Sequence, residues 1–81
     1  MLTLDEIKKA VHDSSELSKQ GENVEAMKLL DERINQAVKS HYSRAMQILC
    51  RHASVIAEHS GHLQEAKRYR KMLAEVERES R

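Results

Sequence analysis

The sequence predicts an all-α fold of four antiparallel helices, arranged as two stacked helix-turn-helix hairpins, and three observations carry that prediction. Proline is absent and glycine occurs only at Gly21 and Gly61, while helix-favouring Ala, Leu, Glu, Lys, Arg and Met abound. Apolar residues recur at helical spacing in four successive stretches. The chain also resembles itself at the 40-residue offset that lays Gly21 on Gly61.

The first helix is expected from about Leu4 to Gln20. Thr3 is a good N-cap, and Glu6 three residues later completes a capping box, with Leu2 and Ile7 placed to form a hydrophobic staple. Its apolar stripe is Leu4, Ile7, Ala10/Val11, Ser14 and Leu17; Lys19 lies in the last turn and Gly21 supplies a left-handed cap. The second helix is expected to start after Asn23 as N-cap, with a stripe of Ala26/Met27, Leu30, Ile34 and Ala37/Val38. The third carries Tyr42, Ala45/Met46, Leu49, Ala53 and Ile56/Ala57 and ends at Gly61. The fourth carries Leu63, Ala66, Tyr69, Leu73 and Val76, and its charged tail from Glu75 to Arg81 is expected to fray.

The boundary between the second and third helices has no Gly or Pro, since nothing from Glu22 to Ser60 is either. One helix over that span would be about 57 Å long at ~1.5 Å per residue. The poor helix formers in Lys39-Ser40-His41-Tyr42-Ser43 argue for a turn instead, with Ser40 and Ser43 both usable as N-caps.

With Gly21 on Gly61, His12 meets His52, Ser14 meets Ser54, Glu25-Ala26 meets Glu65-Ala66, Lys28 meets Arg68, Ala10 meets Cys50 and Leu29 meets Tyr69. A helix–Gly–helix hairpin has a stripe it cannot bury alone, so a second copy stacks on the first. The skeleton Ser14…Gly21…Ala26 and Ser54…Gly61…Ala66 resembles the tetratricopeptide (TPR) repeat in a 40-residue variety, covering residues 4 to 77. On that resemblance residues 1–81 form a single domain, with repeat 1 at about 4–40 and repeat 2 at about 42–79. The chain departs from the family pattern at the Trp-like position (Ala10 or Cys50), at the usual Tyr of the same helix (Leu17 or Ala57) and in lacking the closing Pro.

The resemblance implies a scaffold that binds a peptide or helix of a partner protein, without catalysis. The first helix of each hairpin would line the groove, placing Lys8, Val11, Ser15, Ser18 and Lys19 there from repeat 1 and Ile48, Arg51, Val55, Glu58 and His59 from repeat 2. The residues add a reason of their own. Ile48 and Val55 lie off the core stripe, seven residues apart, and two β-branched residues on an otherwise solvated face form a candidate contact patch. The carboxylate clamp of chaperone-binding TPR domains needs a Lys or Arg followed four residues later by Asn. Here Arg51 is followed by Val55 and Val11 by Ser15, so that clamp is not expected.

Two other interaction readings stand beside this one. Lys67, Arg68, Arg70 and Lys71 form a basic cluster on the fourth helix that suits an acidic partner or a phosphate backbone. No aromatics interleave with those bases, and the formal net charge is only +1, which argues against nucleic acid. The Gly-x-x-x-Glu-Ala run also resembles the three-helix MIT type of interaction domain, in which a fourth helix has no place. Neither His pair (His52 and His59, or His59 and His62) has the i, i+4 spacing of a helical metal site, so no metal or cofactor is expected, and the histidines read as solvated surface residues. His52 or His59 would make binding in the groove pH-sensitive. Cys50 falls at a packing position and reads as a small buried hydrophobe, not a nucleophile; with no phosphate loop or nucleophile elbow, no enzyme is expected.

No apolar run approaches the roughly 18 residues of a membrane helix. Acids within the first ten residues do not fit a signal peptide, and the Met1 start speaks against an N-terminal truncation. A lone Cys suits a reducing compartment such as the cytoplasm. Four short helices with few large apolar side chains have a thin stability margin, so self-association is expected, most simply a two-fold dimer.

Overall fold

The computed structural model describes residues 2–79, and those residues form four helices: α1 (Leu4–Lys19), α2 (Asn23–Lys39), α3 (Ser43–His59) and α4 (Leu63–Glu79). Among the described residues there is no strand. Three-residue connections leave consecutive helices no choice but to run antiparallel.

The start of α1 follows from local chemistry. Thr3 accepts the Glu6 backbone N–H at 3.2 Å and its own N–H donates to the Glu6 carboxylate at 3.0 Å, closing the capping box. The Glu6 carboxylate accepts from both the Thr3 backbone N–H and the Thr3 hydroxyl, at 3.0 and 3.1 Å, and those bonds hold it below its ordinary pKa. The staple residues Leu2 and Ile7 are both buried. Glu6 also reaches Arg33 of α2 at 3.4 Å, fastening the first hairpin.

The three turns share one geometry. Backbone N–H groups of Gly21, His41 and Gly61 donate to Ser18, Val38 and Glu58, and those of Glu22, Tyr42 and His62 donate to Leu17, Ala37 and Ala57, all at 2.8–3.2 Å. This is the Schellman closure, which needs a left-handed residue at its centre. Gly21 and Gly61 take that conformation at φ 82° and 78°, and His41 takes it at φ 54°. The punctuation therefore recurs every 20 residues, at positions 21, 41 and 61, beneath the 40-residue hairpin repeat.

Several expected boundaries shift by a residue. Asn23 is the first residue of α2, and Glu22 stands at the N-cap with no side-chain bond. The Asn23 amide instead accepts the Ser18 hydroxyl at 2.7 Å, across the turn. Ser40 and Ser43 are not N-caps either: Tyr42 holds that place without a side-chain bond, and the Ser40 hydroxyl donates back to the Gln36 carbonyl at 2.9 Å. The tail of α4 does not fray at Glu75; it stays helical through Glu79, because Val76 is buried and Glu77 reaches Arg51 at 3.5 Å. Ser80 and Arg81 lie outside the described residues.

The core draws on all four stripes, from Ile7 and Ala10 through Leu30, Ile34 and Leu49 to Ala66 and Tyr69. The repeated small residues sit deepest: Ser14, Ala26 and Ala66 have no exposed surface and Ser54 has 6%. Each buried Ser satisfies its hydroxyl on a carbonyl three residues back, Ser14 on Val11 and Ser54 on Arg51. Three expected stripe residues are exposed instead. Leu4 and Leu63 occupy the first turns of their helices, and Val38 loses the choice to Ala37, which is completely buried.

Helix α1 packs on α2, α2 on α3 and α3 on α4, and α1 also lies beside α3. Neither α1 and α4 nor α2 and α4 approach at the backbone among the described residues, so the helices form an open stack and not a closed bundle. Long side chains bridge α2 to α4. The Tyr69 hydroxyl donates to Asp31 at 2.7 Å, and Arg68 reaches the same carboxylate at 3.3 Å while lying 4.6 Å over the Tyr69 ring. Closer approach between α1 and α3 than between α2 and α4 curves the stack toward the α1–α3 face.

Candidate functional site

The candidate site is that α1–α3 face. Two adjoining open hollows lie on it, of about 410 and 610 Å³, sharing Val11 and Ile48. Ser14 and Ala10 on α1 and Ala45 and Ala53 on α3 are small and buried, so the two helices can lie close and leave their next row of side chains facing outward. On α3 that row is Arg44, Ile48, Arg51 and Val55, at the 4, 3, 4 spacing of one helical face. Ile48 and Val11 are half-buried with their inner surfaces against the core, and Val55 is 47% exposed.

The structure brings most of the expected groove residues together. Val11, Ile48, Arg51 and Val55 line the first hollow, and Lys8, Val11, Ser15, Lys19 and Ile48 line the second. The others go elsewhere. Ser18 faces the turn, bonded to Asn23. Glu58 leans to α4 and pairs with Arg70 at 3.0 Å. His59 is exposed in the last turn of α3 and lines neither hollow.

Sequence reasoning missed Arg44 and Gln47 in the first hollow and Leu4, His12 and Glu16 in the second. Arg44 was findable: it stands four residues before Ile48 and seven before Arg51, on the stripe already in hand. The residues from α1 carry no such signal, because its pattern alone does not say which face meets α3.

A polar link crosses the face. Ser15 Oγ lies 2.8 Å from the Val11 carbonyl and 3.1 Å from His52 Nε2. The single hydroxyl proton goes to the carbonyl, so Nε2–H of His52 is the donor to Ser15. Burial lowers the His52 pKa below 6.5, outweighing a bond toward Val11 that raises it. His52 is thus no solvated surface histidine; His62 is not one either, with Nδ1 2.8 Å from the Ser60 hydroxyl.

The basic cluster on α4 is divided. Arg68 is held by Glu65 at 2.9 Å and by Asp31, and Arg70 by Glu58. The balancing acids come from α2, α3 and the first turn of α4. Lys67 and Lys71 remain exposed without a partner among the described residues.

Cys50 is completely buried, and burial pushes its thiol up to about 11, which removes the thiolate at neutral pH. Among the described residues no three His, Cys, Asp or Glu converge as a metal site would need. No helix of the described residues is long and apolar enough to cross a membrane. Comparison with known proteins finds no matching family model, no similar curated protein and no similar solved structure.

Proposed function

We propose that this chain is a protein-interaction module, TPR-like in plan, that receives a peptide or helix of a partner on the α1–α3 face and performs no chemistry. One observation carries the reading: Val11, Ile48 and Val55, expected as contacts from the sequence, line adjoining hollows and keep apolar surface toward solvent. Apolar surface left in a concave, polar-rimmed site is what a partner covers. The order of helix contacts, in which α1 meets α2 and α3 but not α4, supports the TPR-like plan. A three-helix MIT-type reading loses ground, because Tyr69 and Ala66 put α4 into the core.

The experiment is the double substitution Ile48→Asp with Val55→Asp, read by pull-down, solution mass and circular dichroism. Binding should be lost with helicity kept. Ile48 has an inner face on the core, so Val55→Asp alone is the milder control. If the wild type is a dimer and the double variant a monomer, the occupant of the face is a second copy. Unchanged partners and unchanged mass would remove this face from consideration.

A further inference from the structure

The charge around the hollows says what kind of segment they accept. Among the described residues, the first is rimmed by Arg44 and Arg51 and has no acid in its lining; the second has Lys8, Lys19 and one acid, Glu16. Glu16 is engaged with Lys19 at 3.5 Å. Neither Arg44 nor Lys8 has an acidic partner among the described residues, and Arg51 meets Glu77 only at 3.5 Å with its side chain 69% exposed. Four bases and one acid thus face the site in a chain with 14 bases and 13 acids. The other described residues keep nine bases against twelve acids, so positive charge is concentrated on this face.

Resting on the function proposed above, we infer that the occupant is an acidic amphipathic segment of another protein, with apolar residues spaced to meet Ile48 and Val55 and carboxylates to meet Arg44, Arg51 and Lys8. Ile48 and Val55 are seven residues apart, as are Arg44 and Arg51, so each pair repeats at about 10.5 Å along α3. A helix laid along α3 matches that repeat with apolar residues at i and i+7 and acids displaced by one turn. Complementary charge then fixes register and speeds encounter, while the apolar floor supplies the burial. Nucleic acid is the poorer occupant of this face: among the described residues no Tyr, Phe or Trp lines either hollow to stack a base.

The test is selection of a phage-displayed library of random 16-residue peptides on the full chain. Selected peptides are then measured by fluorescence anisotropy against wild type, Arg44→Glu, Arg51→Glu, Val55→Asp and, as a control outside the site, Lys67→Glu. Selected peptides should be net acidic and carry apolar residues at helical spacing. Each Arg→Glu change should weaken them about fivefold or more, the equivalent of about 1 kcal/mol. Lys67→Glu should change nothing, and affinity should fall as salt rises. Peptides that lose binding in Val55→Asp but are neutral or basic would overturn the charge inference and leave the groove standing. Failure to select any peptide sensitive to Val55→Asp would overturn the groove itself, and this inference with it. Displacement of the peptides by an equal concentration of a single-stranded oligonucleotide would show a general polyanion surface and overturn the inference as well.

Discussion

The turn between α2 and α3 decides how the second hairpin sits on the first, and its cost is concentrated in one residue. His41 takes the left-handed conformation at φ 54°, in the same closure that glycine provides at positions 21 and 61. Its ring is exposed and makes no hydrogen bond among the described residues, so His41→Gly removes strain and no contact. A non-glycine residue in that region costs roughly 1–2 kcal/mol, while glycine loosens the unfolded chain by about 0.4–1 kcal/mol. The net expectation is stabilisation by about 0.5–1 kcal/mol, or about 2–8 °C in Tm for a domain of this size. Thermal and urea unfolding followed by circular dichroism would read it. Gly21→Ala and Gly61→Ala should move Tm the opposite way by a similar amount. At both sites an added Cβ meets nothing within 4 Å, so the penalty there is backbone strain alone. If His41→Gly leaves Tm unchanged or lowers it while helicity is intact, the turn is not held as described and the reasoning fails.

Three further outcomes are expected. Tyr69→Phe keeps the ring in the core but removes the 2.7 Å bond to Asp31, so it should cost about 1.5 kcal/mol in urea unfolding, and much less in an Asp31→Ala background, which has no acceptor to lose. Cys50 should resist a neutral-pH thiol reagent in the folded protein and react at once in denaturant; fast labelling of the native chain would contradict its burial and its pKa of about 11. Burial lowers the His52 pKa below 6.5, so as pH falls beneath 6.5 the unfolded chain takes up the proton first and stability declines through the folded pKa. His52→Gln should flatten that part of a Tm-against-pH curve, well above the window in which Glu6, lowered from 4.5, has its effect.

The candidate site was readable in the sequence where it depends on one helix. Ile48, Arg51 and Val55 share a stripe that lies off the main core stripe of α3, and that is visible in spacing alone. Arg44 belongs to the same stripe. What spacing does not reveal is the facing wall. Leu4, His12 and Glu16 join the site because small side chains let α1 lie against α3, and Glu58 leaves it because Arg70 of α4 stands 3.0 Å away. Both are events between residues far apart in the chain.

The same division runs through the whole protein. The capping box at Thr3 and Glu6, the left-handed glycines at 21 and 61 and the four apolar stripes are local, set by residues within one or two turns of each other, and for that reason they are legible before any fold is known. The turn at His41 is another matter. Histidine does not prefer positive φ, and only the packing of α2 and α3 on opposite sides of it makes the strain worth bearing. The Asp31–Arg68–Tyr69 bridge, the Ser15–His52 link and the positive character of the α1–α3 face likewise belong to the tertiary structure, because each joins side chains more than 30 residues apart that no periodicity relates.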